Sequence, residues 1–239
     1  MKNIGPSYRI ISEYERKFIH RQQIGEKFYE GDDPIIVSRI RPDGYMILNG
    51  HHRWAAALRL GFKWIPVQII NTVGKQDIIE IISKSKHDKR VTFDLDEVVF
   101  YDGVNGQAEK PLPFPLNKLY KIRLRKGIPA LFSMLNQGGY DIWLYSANFY
   151  NMDYIRALFH KYHVGVTGIV TGTVKRKQTQ EEKNEMQELY SNKYKCTIHI
   201  DNDAVLMIDN VTKDFFDYSI EDKENWSKAV IDILKGFDV

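Results

Sequence analysis

Beyond residue 90 the chain alternates short apolar runs with segments of helical period, a rhythm that few folds accommodate. Runs at 91–95, 141–145, 168–171 and 197–200 have the length and the β-branched or aromatic content of strands. Residues 128–135, 152–162, 180–190 and 225–234 place apolar side chains at helical spacing. Strands joined through helices run parallel, because such a crossover cannot close a hairpin. The expected class is α/β, with a doubly wound, mostly parallel sheet whose functional groups gather at the carboxyl ends of its strands. Pro111, Pro113 and Pro115 remove backbone donors at alternate positions, so 110–115 is expected to be loop.

The first part of the chain is organised differently. Residues 13–29 read as a helix broken near Gly25, followed by a strand over 35–40. Arg41-Pro42-Asp43-Gly44 has a proline to preset φ and a glycine to accept a positive one, which predicts a hairpin into a second strand at 45–48. Asn49-Gly50-His51-His52-Arg53 then opens an alanine-rich helix stopped by Gly61, and a strand follows over 65–70. Trp54, Leu58 and Leu60 at helical spacing read as core. Residues 71–90 hold one amphipathic helix and a charged run that reads as a connection, so two domains are expected, 1–88 and 89–239.

Composition excludes several classes. No run approaches the roughly 20 apolar residues a bilayer span needs, and the charged start of the chain is not that of a signal peptide, so no membrane association and a cytoplasmic location are expected. Cys196, alone, cannot support an intrachain disulfide or a thiolate zinc site. Residues 1–88 carry 14 basic and 10 acidic side chains against 20 and 21 in the rest. An excess of +4 suits an anion-binding domain, and nucleic acid stays open as a partner without being indicated by charge.

Val91-Thr92-Phe93-Asp94-Leu95-Asp96-Glu97-Val98 delivers two carboxylates from the end of an apolar strand. The 141–145 strand ends at Ser146-Ala147-Asn148, and the 197–200 strand ends at Asp201-Asn202-Asp203. In a doubly wound sheet these ends converge. Converging carboxylates need a cation, and oxygen ligands select Mg²⁺. With a lysine, such a site suits phosphoryl transfer. Lys175, Lys177 and Lys183 all lie at usable distances before Asp201, and Lys177 then Lys175 are favoured because both sit at a helix start. Phe149, Tyr150 and Tyr154 read as packing residues near the site entrance.

This arrangement, over about residues 89–239, resembles the haloacid dehalogenase-like (HAD) phosphohydrolase superfamily, with its Rossmannoid fold and here a minimal cap. The resemblance implies that Asp94 is the nucleophile that becomes aspartyl-phosphate and that Asp96 is the general acid/base, its carbonyl touching Mg²⁺. It further implies that Ser146 holds the transferring phosphoryl and that Asp201, with Asp203 as neighbouring candidate, is a metal carboxylate. With so short a stretch between the first two motifs, the N-terminal domain is the candidate lid.

The Gly50-His51-His52-Arg53 turn offers free helix-start amides, close backbone approach and a guanidinium fork, all suited to phosphate. Residues 34–70 resemble the ParB/sulfiredoxin-like domain, whose members bind nucleotides, which implies ATP, ADP or CTP as ligand or co-substrate. Sulfiredoxins place a catalytic cysteine where this chain has His51, so thiol repair is not expected. Partition proteins favour an arginine pair where this chain has His52-Arg53, and their DNA-binding portion has no counterpart here. The double histidine is closer to the free-serine-kinase version, which also needs an upstream acidic base: Glu13, Glu15, Glu26 or Glu30. The expected function is a Mg²⁺-dependent phosphatase acting on an unidentified phosphorylated substrate and coupled to a nucleotide-binding domain. Two alternatives are a bifunctional kinase-phosphatase using ATP or ADP on a small hydroxyl compound, and a nucleic-acid-associated phosphatase acting on polynucleotide ends.

Overall fold

A computed structural model describes residues 5, 7–40, 43–70, 73–104, 106–172 and 180–237. The chain divides into two compact units, Met1–Asn71 and Thr72–Val239.

In the first unit, α1 (Tyr8–Gln23) precedes β1 (Ile35–Arg39), β2 (Tyr45–Asn49), α2 (His51–Arg59) and β3 (Val67–Ile70). The strands form a sheet of order β2-β1-β3, antiparallel across the hairpin and parallel between β1 and β3. Arg41 and Pro42 of the expected turn lie outside the described residues; Gly44 takes the positive φ of 135° that the turn requires. Phe18 buries against Phe28 and Phe62, and the face of α2 that meets α1 is made of Ala56 and Ala57. Trp54 and Leu58, expected in the core, are instead 44% and 61% exposed. The small side chains Ala56 and Ala57 let the two helices approach closely, and the larger residues fall on the opposite face.

The second unit begins with α3 (Lys75–Lys84), β4 (Lys89–Asp94), a wide π-helical turn (Leu95–Val99), and the short α4 (Leu116–Leu119). It continues through α5 (Ile128–Gln137), β5 (Tyr140–Tyr145), α6 (Met152–Lys161), β6 (Gly168–Val170), α7 (Gln180–Lys193) and β7 (Cys196–Ile200). It ends with β8 (Ala204–Asp209), β9 (Phe215–Ser219) and α8 (Trp226–Lys235). The sheet order is β6-β5-β4-β7-β8-β9; β6, β5, β4 and β7 are mutually parallel, and β8 and β9 add an antiparallel extension. The mixed α/β class and the mostly parallel sheet are as expected; the β8–β9 hairpin is additional.

The compact units meet earlier than residue 88. Val73, Ile78 and Ile82 of the α3 region are buried in the second core, and Lys75 forms a 2.5 Å ion pair with Glu185 of α7. An amphipathic helix goes where its apolar stripe is covered, and sequence position alone does not say which sheet supplies the cover.

Strand β4 sorts its residues by the pleat. Phe93 packs on Phe132 of α5 at 4.9 Å between ring centroids, while Arg90 stacks on Tyr190 of α7. Next to it, Trp143 of β5 also meets Tyr190 and lies directly over Gly168 of β6, where a Cβ would come within 2.2 Å of the indole. No helix among the described residues is long and apolar enough to cross a membrane.

Candidate functional site

The central strand β4 lies between β5 and β7, so the residues that follow these three strands are neighbours. Asp94 closes β4 and caps the π-helical turn: its Oδ1 accepts from the backbone N–H groups of Asp96 and Glu97, both at 2.8 Å. Its Oδ2 has no donor among the described residues. Burial pushes the Asp94 carboxyl above its ordinary pKa; the two amide bonds oppose this, and the negative charges of Asp96 and Asp201 add to it.

Asp96 is held across the sheet. Ser146, 1% exposed and the first residue after β5, donates from Oγ to Asp96 Oδ2 at 2.5 Å and accepts from the N–H of Asn148 at 2.9 Å. Tyr150 donates its hydroxyl to Asp96 Oδ1. Burial and that bond together push the Tyr150 phenol well up, so it remains a donor. Tyr150 was read from sequence as packing, and its ring does meet Phe100 edge-on at 5.6 Å. Nothing in its spacing reports the second contact, made by its hydroxyl.

Asp201 follows β7, and its Oδ1 accepts from the N–H of Asn202 at 2.7 Å. The 201–203 loop is fixed through Asn202, which accepts from Arg125 on Oδ1 at 2.6 Å and from Trp226 Nε1 on its carbonyl at 3.1 Å. Arg125 is itself buried and lies 4.4 Å over the Trp226 ring. Sequence reasoning passed over Asn202 and Arg125, since neither belongs to an acidic pattern. Asp203, the expected neighbouring metal carboxylate, is 84% exposed and pairs with Lys223.

No group of three or more His, Cys, Asp or Glu side chains among the described residues is placed to hold a metal ion. The remaining donor set is smaller: the Asp94 and Asp201 carboxylates and the Asp96 carbonyl, all hard oxygens that suit Mg²⁺ with water completing the shell. The charges of Asp96 and Asp201, which add to the effect of burial on Asp94, are what a divalent cation would offset, and none of the three aspartates has an ion-pair partner among the described residues. The two favoured lysines, Lys175 and Lys177, lie outside the described residues. Lys183 is on α7, where it lines a cavity against the sheet face.

In the first unit, Gly50 opens α2 with a φ of 91°. A Cβ there would lie 3.0 Å from Arg53 Nη2 and 3.1 Å from Ile35 Cγ1, so the missing side chain is what lets the guanidinium fold back over the turn. Arg53 Nη2 donates to the Pro34 carbonyl at 3.4 Å, while its buried Nε has no partner among the described residues. His51 is exposed. His52 is engaged: its Nε2 accepts from the N–H of Ser7 at 2.9 Å, tying the turn to the start of α1 and leaving only Nδ1 as a donor. Of the candidate acidic residues, Glu15 pairs with Arg59 at 3.0 Å and Glu13 lies 3.9 Å from Arg9; Glu26 and Glu30 are exposed.

Residues 29–86 match the family model of the ParB N-terminal domain. A segment of 41 residues is 51% identical to an ATP-dependent L-serine kinase of Staphylothermus marinus and equally to one of Desulfurococcus mucosus. That segment is 17% of this chain and 16% of each kinase, so the chain spans about a sixth of the length of these curated relatives. No solved structure matches the chain. Residues 29–86 thus carry a ParB N-terminal domain.

Proposed function

We propose that the chain is a bifunctional phosphoryl-transfer protein, pairing a nucleotide-dependent kinase site in the first unit with a HAD-like phosphomonoesterase site in the second. The identity shared with ATP-dependent L-serine kinases supports the first half. Gly50, the free amides at the start of α2 and Arg53 would cradle the phosphates of ATP or ADP, and His51 is the exposed donor beside them. The acceptor is a small hydroxyl compound, with L-serine the first to test.

The second half rests on one observation: Asp96, beside the unliganded Oδ2 of Asp94, is gripped on both oxygens by Ser146 and Tyr150. In the proposed reaction Asp94 Oδ2 attacks the substrate phosphorus, the P–O bond to the alcohol breaks, and the leaving oxygen takes a proton from Asp96. Water then gives a proton back to Asp96 and attacks the aspartyl-phosphate, releasing phosphate and restoring Asp94. The two hydrogen bonds that Asp96 accepts orient its carboxyl group for the second step. Its acid form needs one oxygen released, which happens when the Ser146 hydroxyl turns to the phosphoryl oxygens. Asp94, Asp201 and the Asp96 carbonyl would hold Mg²⁺, which when bound supplies positive charge against the phosphate.

The two halves separate in one experiment on the full chain. Nucleotide consumption with L-serine, followed by ³¹P NMR, is expected to require Arg53 and to survive Asp94→Asn. Phosphate release from p-nitrophenyl phosphate or phosphoserine is expected to show the reverse pattern. Release that persists in Asp94→Asn removes the phosphatase half, and nucleotide consumption indifferent to Arg53→Ala removes the kinase half.

A further inference from the structure

The second unit holds a cavity of about 480 Å³ between α7 and the face of β4, β5 and β7, within the size range of small-ligand pockets. None of Asp94, Asp96, Ser146 and Asp201 lines it. Its floor is polar. Arg90 of β4 reaches into it, 7% exposed, with its Nε and Nη1 buried and without a hydrogen-bond partner among the described residues. Its guanidinium lies 3.9 Å over the ring of Tyr190, so the group is fixed in place while Nε and Nη1 stay unmet among the described residues.

A buried cation with unmet donors is costly, and folded proteins supply an acceptor. Here the lining supplies none of the right charge: Lys183 adds a second positive group at the α7 side, and among the described residues no aspartate or glutamate lines the cavity. His199 lies with its Nδ1 2.6 Å from Thr92 Oγ1; burial, and then the charge of Arg90, lower it to about 4, so it is neutral at physiological pH. Asp141, beside Arg90 in the β4–β5 register, does not line the cavity; its Oδ2 accepts from the Tyr194 hydroxyl at 2.7 Å and its Oδ1 meets His87 Nδ1 at 3.0 Å. The cavity thus opens to solvent, carries Arg90 and Lys183 with aromatic and aliphatic side chains beside them, and has no negative group among the described residues that line it.

We propose that this cavity binds a small organic oxyanion, a carboxylate or phosphate whose charge meets Arg90 and whose uncharged body lies against Tyr145, Tyr190 and Met186. The site is separate from both proposed reaction centres.

The test is isothermal titration of the full chain with benzoate and with phenylphosphonate, neither of which can be hydrolysed, in an Arg53→Ala, Asp94→Asn background that silences the other two proposed phosphate positions. Saturable binding of either probe, weakened about tenfold or more by Arg90→Met, supports the site, and the tighter probe identifies the oxyanion. Met186→Trp fills the cavity from α7 and leaves Arg90 intact, so it is expected to abolish the same binding even where Arg90→Met fails to fold. No binding of either probe in the parent, or binding that survives either substitution, overturns the proposal and leaves Arg90 as a packing residue stacked on Tyr190.

Discussion

Ser146 Oγ and Asp96 Oδ2, 50 residues apart in sequence, meet at 2.5 Å across the carboxyl ends of β4 and β5. With Tyr150 on the other oxygen, this bond fixes the Asp96 carboxylate beside Asp94 before any substrate arrives. Removing each donor is therefore expected to have a graded effect. Tyr150→Phe takes away one charge-assisted bond and is expected to lower turnover about tenfold with little change in KM. Ser146→Ala also loses the proposed phosphoryl contact and is expected to cost about a hundredfold or more. Steady-state kinetics with p-nitrophenyl phosphate orders the two, and equal effects would show that Ser146 acts only through Asp96.

Asp94→Asn is expected to reduce phosphate release by about a thousandfold or more, since the amide is a poor nucleophile. The same substitution bears on stability. The folded-state pKa of Asp94 is raised, so the folded protein binds its proton more tightly than the unfolded chain, and stability falls as pH rises through that raised pKa. The uncharged amide escapes this loss. Asp94→Asn is thus expected to melt a few degrees higher than the parent at neutral pH, with the gain fading as pH falls into the ordinary carboxylate range. Thermal melts across pH decide it; a variant less stable at neutral pH would mean the two amide bonds to Oδ1 outweigh the charge repulsion.

In the first unit, Arg53→Ala is expected to weaken ATP or ADP binding about tenfold to a hundredfold while leaving phosphate release unchanged. Gly50→Ala places a side chain in a left-handed conformation and against Arg53, and is expected to cost about 1–2 kcal/mol and to impair the same binding. Nucleotide titration with a parallel urea melt measures both.

Gly168→Ala puts a methyl group into the indole of Trp143. Trp143 is fully buried and its Nε1 donates to the Tyr194 hydroxyl at 3.2 Å, so it has little room to yield. A loss of about 1–3 kcal/mol is expected on denaturant unfolding, without effect on nucleotide binding.

What the sequence disclosed follows physical lines. Elements with a strong period and a clear stop were legible: the helix ended by Gly61, and the strands that deliver Asp94, Ser146 and Asp201 side by side. The β8–β9 hairpin was not. Ala204–Asp209 follows directly on the acidic turn and was absorbed into it, and Phe215–Ser219, though it carries three aromatic residues, is exposed along its whole length as the edge strand of the sheet. At the site, side chains that act through charge were readable as an acidic pattern. Tyr150, Asn202 and Arg125 act by where the fold carries a hydroxyl, an amide and a guanidinium, and no local spacing encodes that. Arg90 looked like one more basic residue in a charged connection, and only its burial sets it apart.

Helix α3 carries a different consequence. It lies within the segment similar to the ParB N-terminal domain, which runs to residue 86, yet by packing it belongs to the core of the second unit, where Lys75 pairs with Glu185 of α7. The family match and the compact unit therefore end at different residues. A chimera that exchanges the first unit for that of a relative should be spliced at 71/72, with α3 left behind, because a graft at the end of the matched segment would strip Ile78 and Ile82 from the hydrophobic interior they help to close.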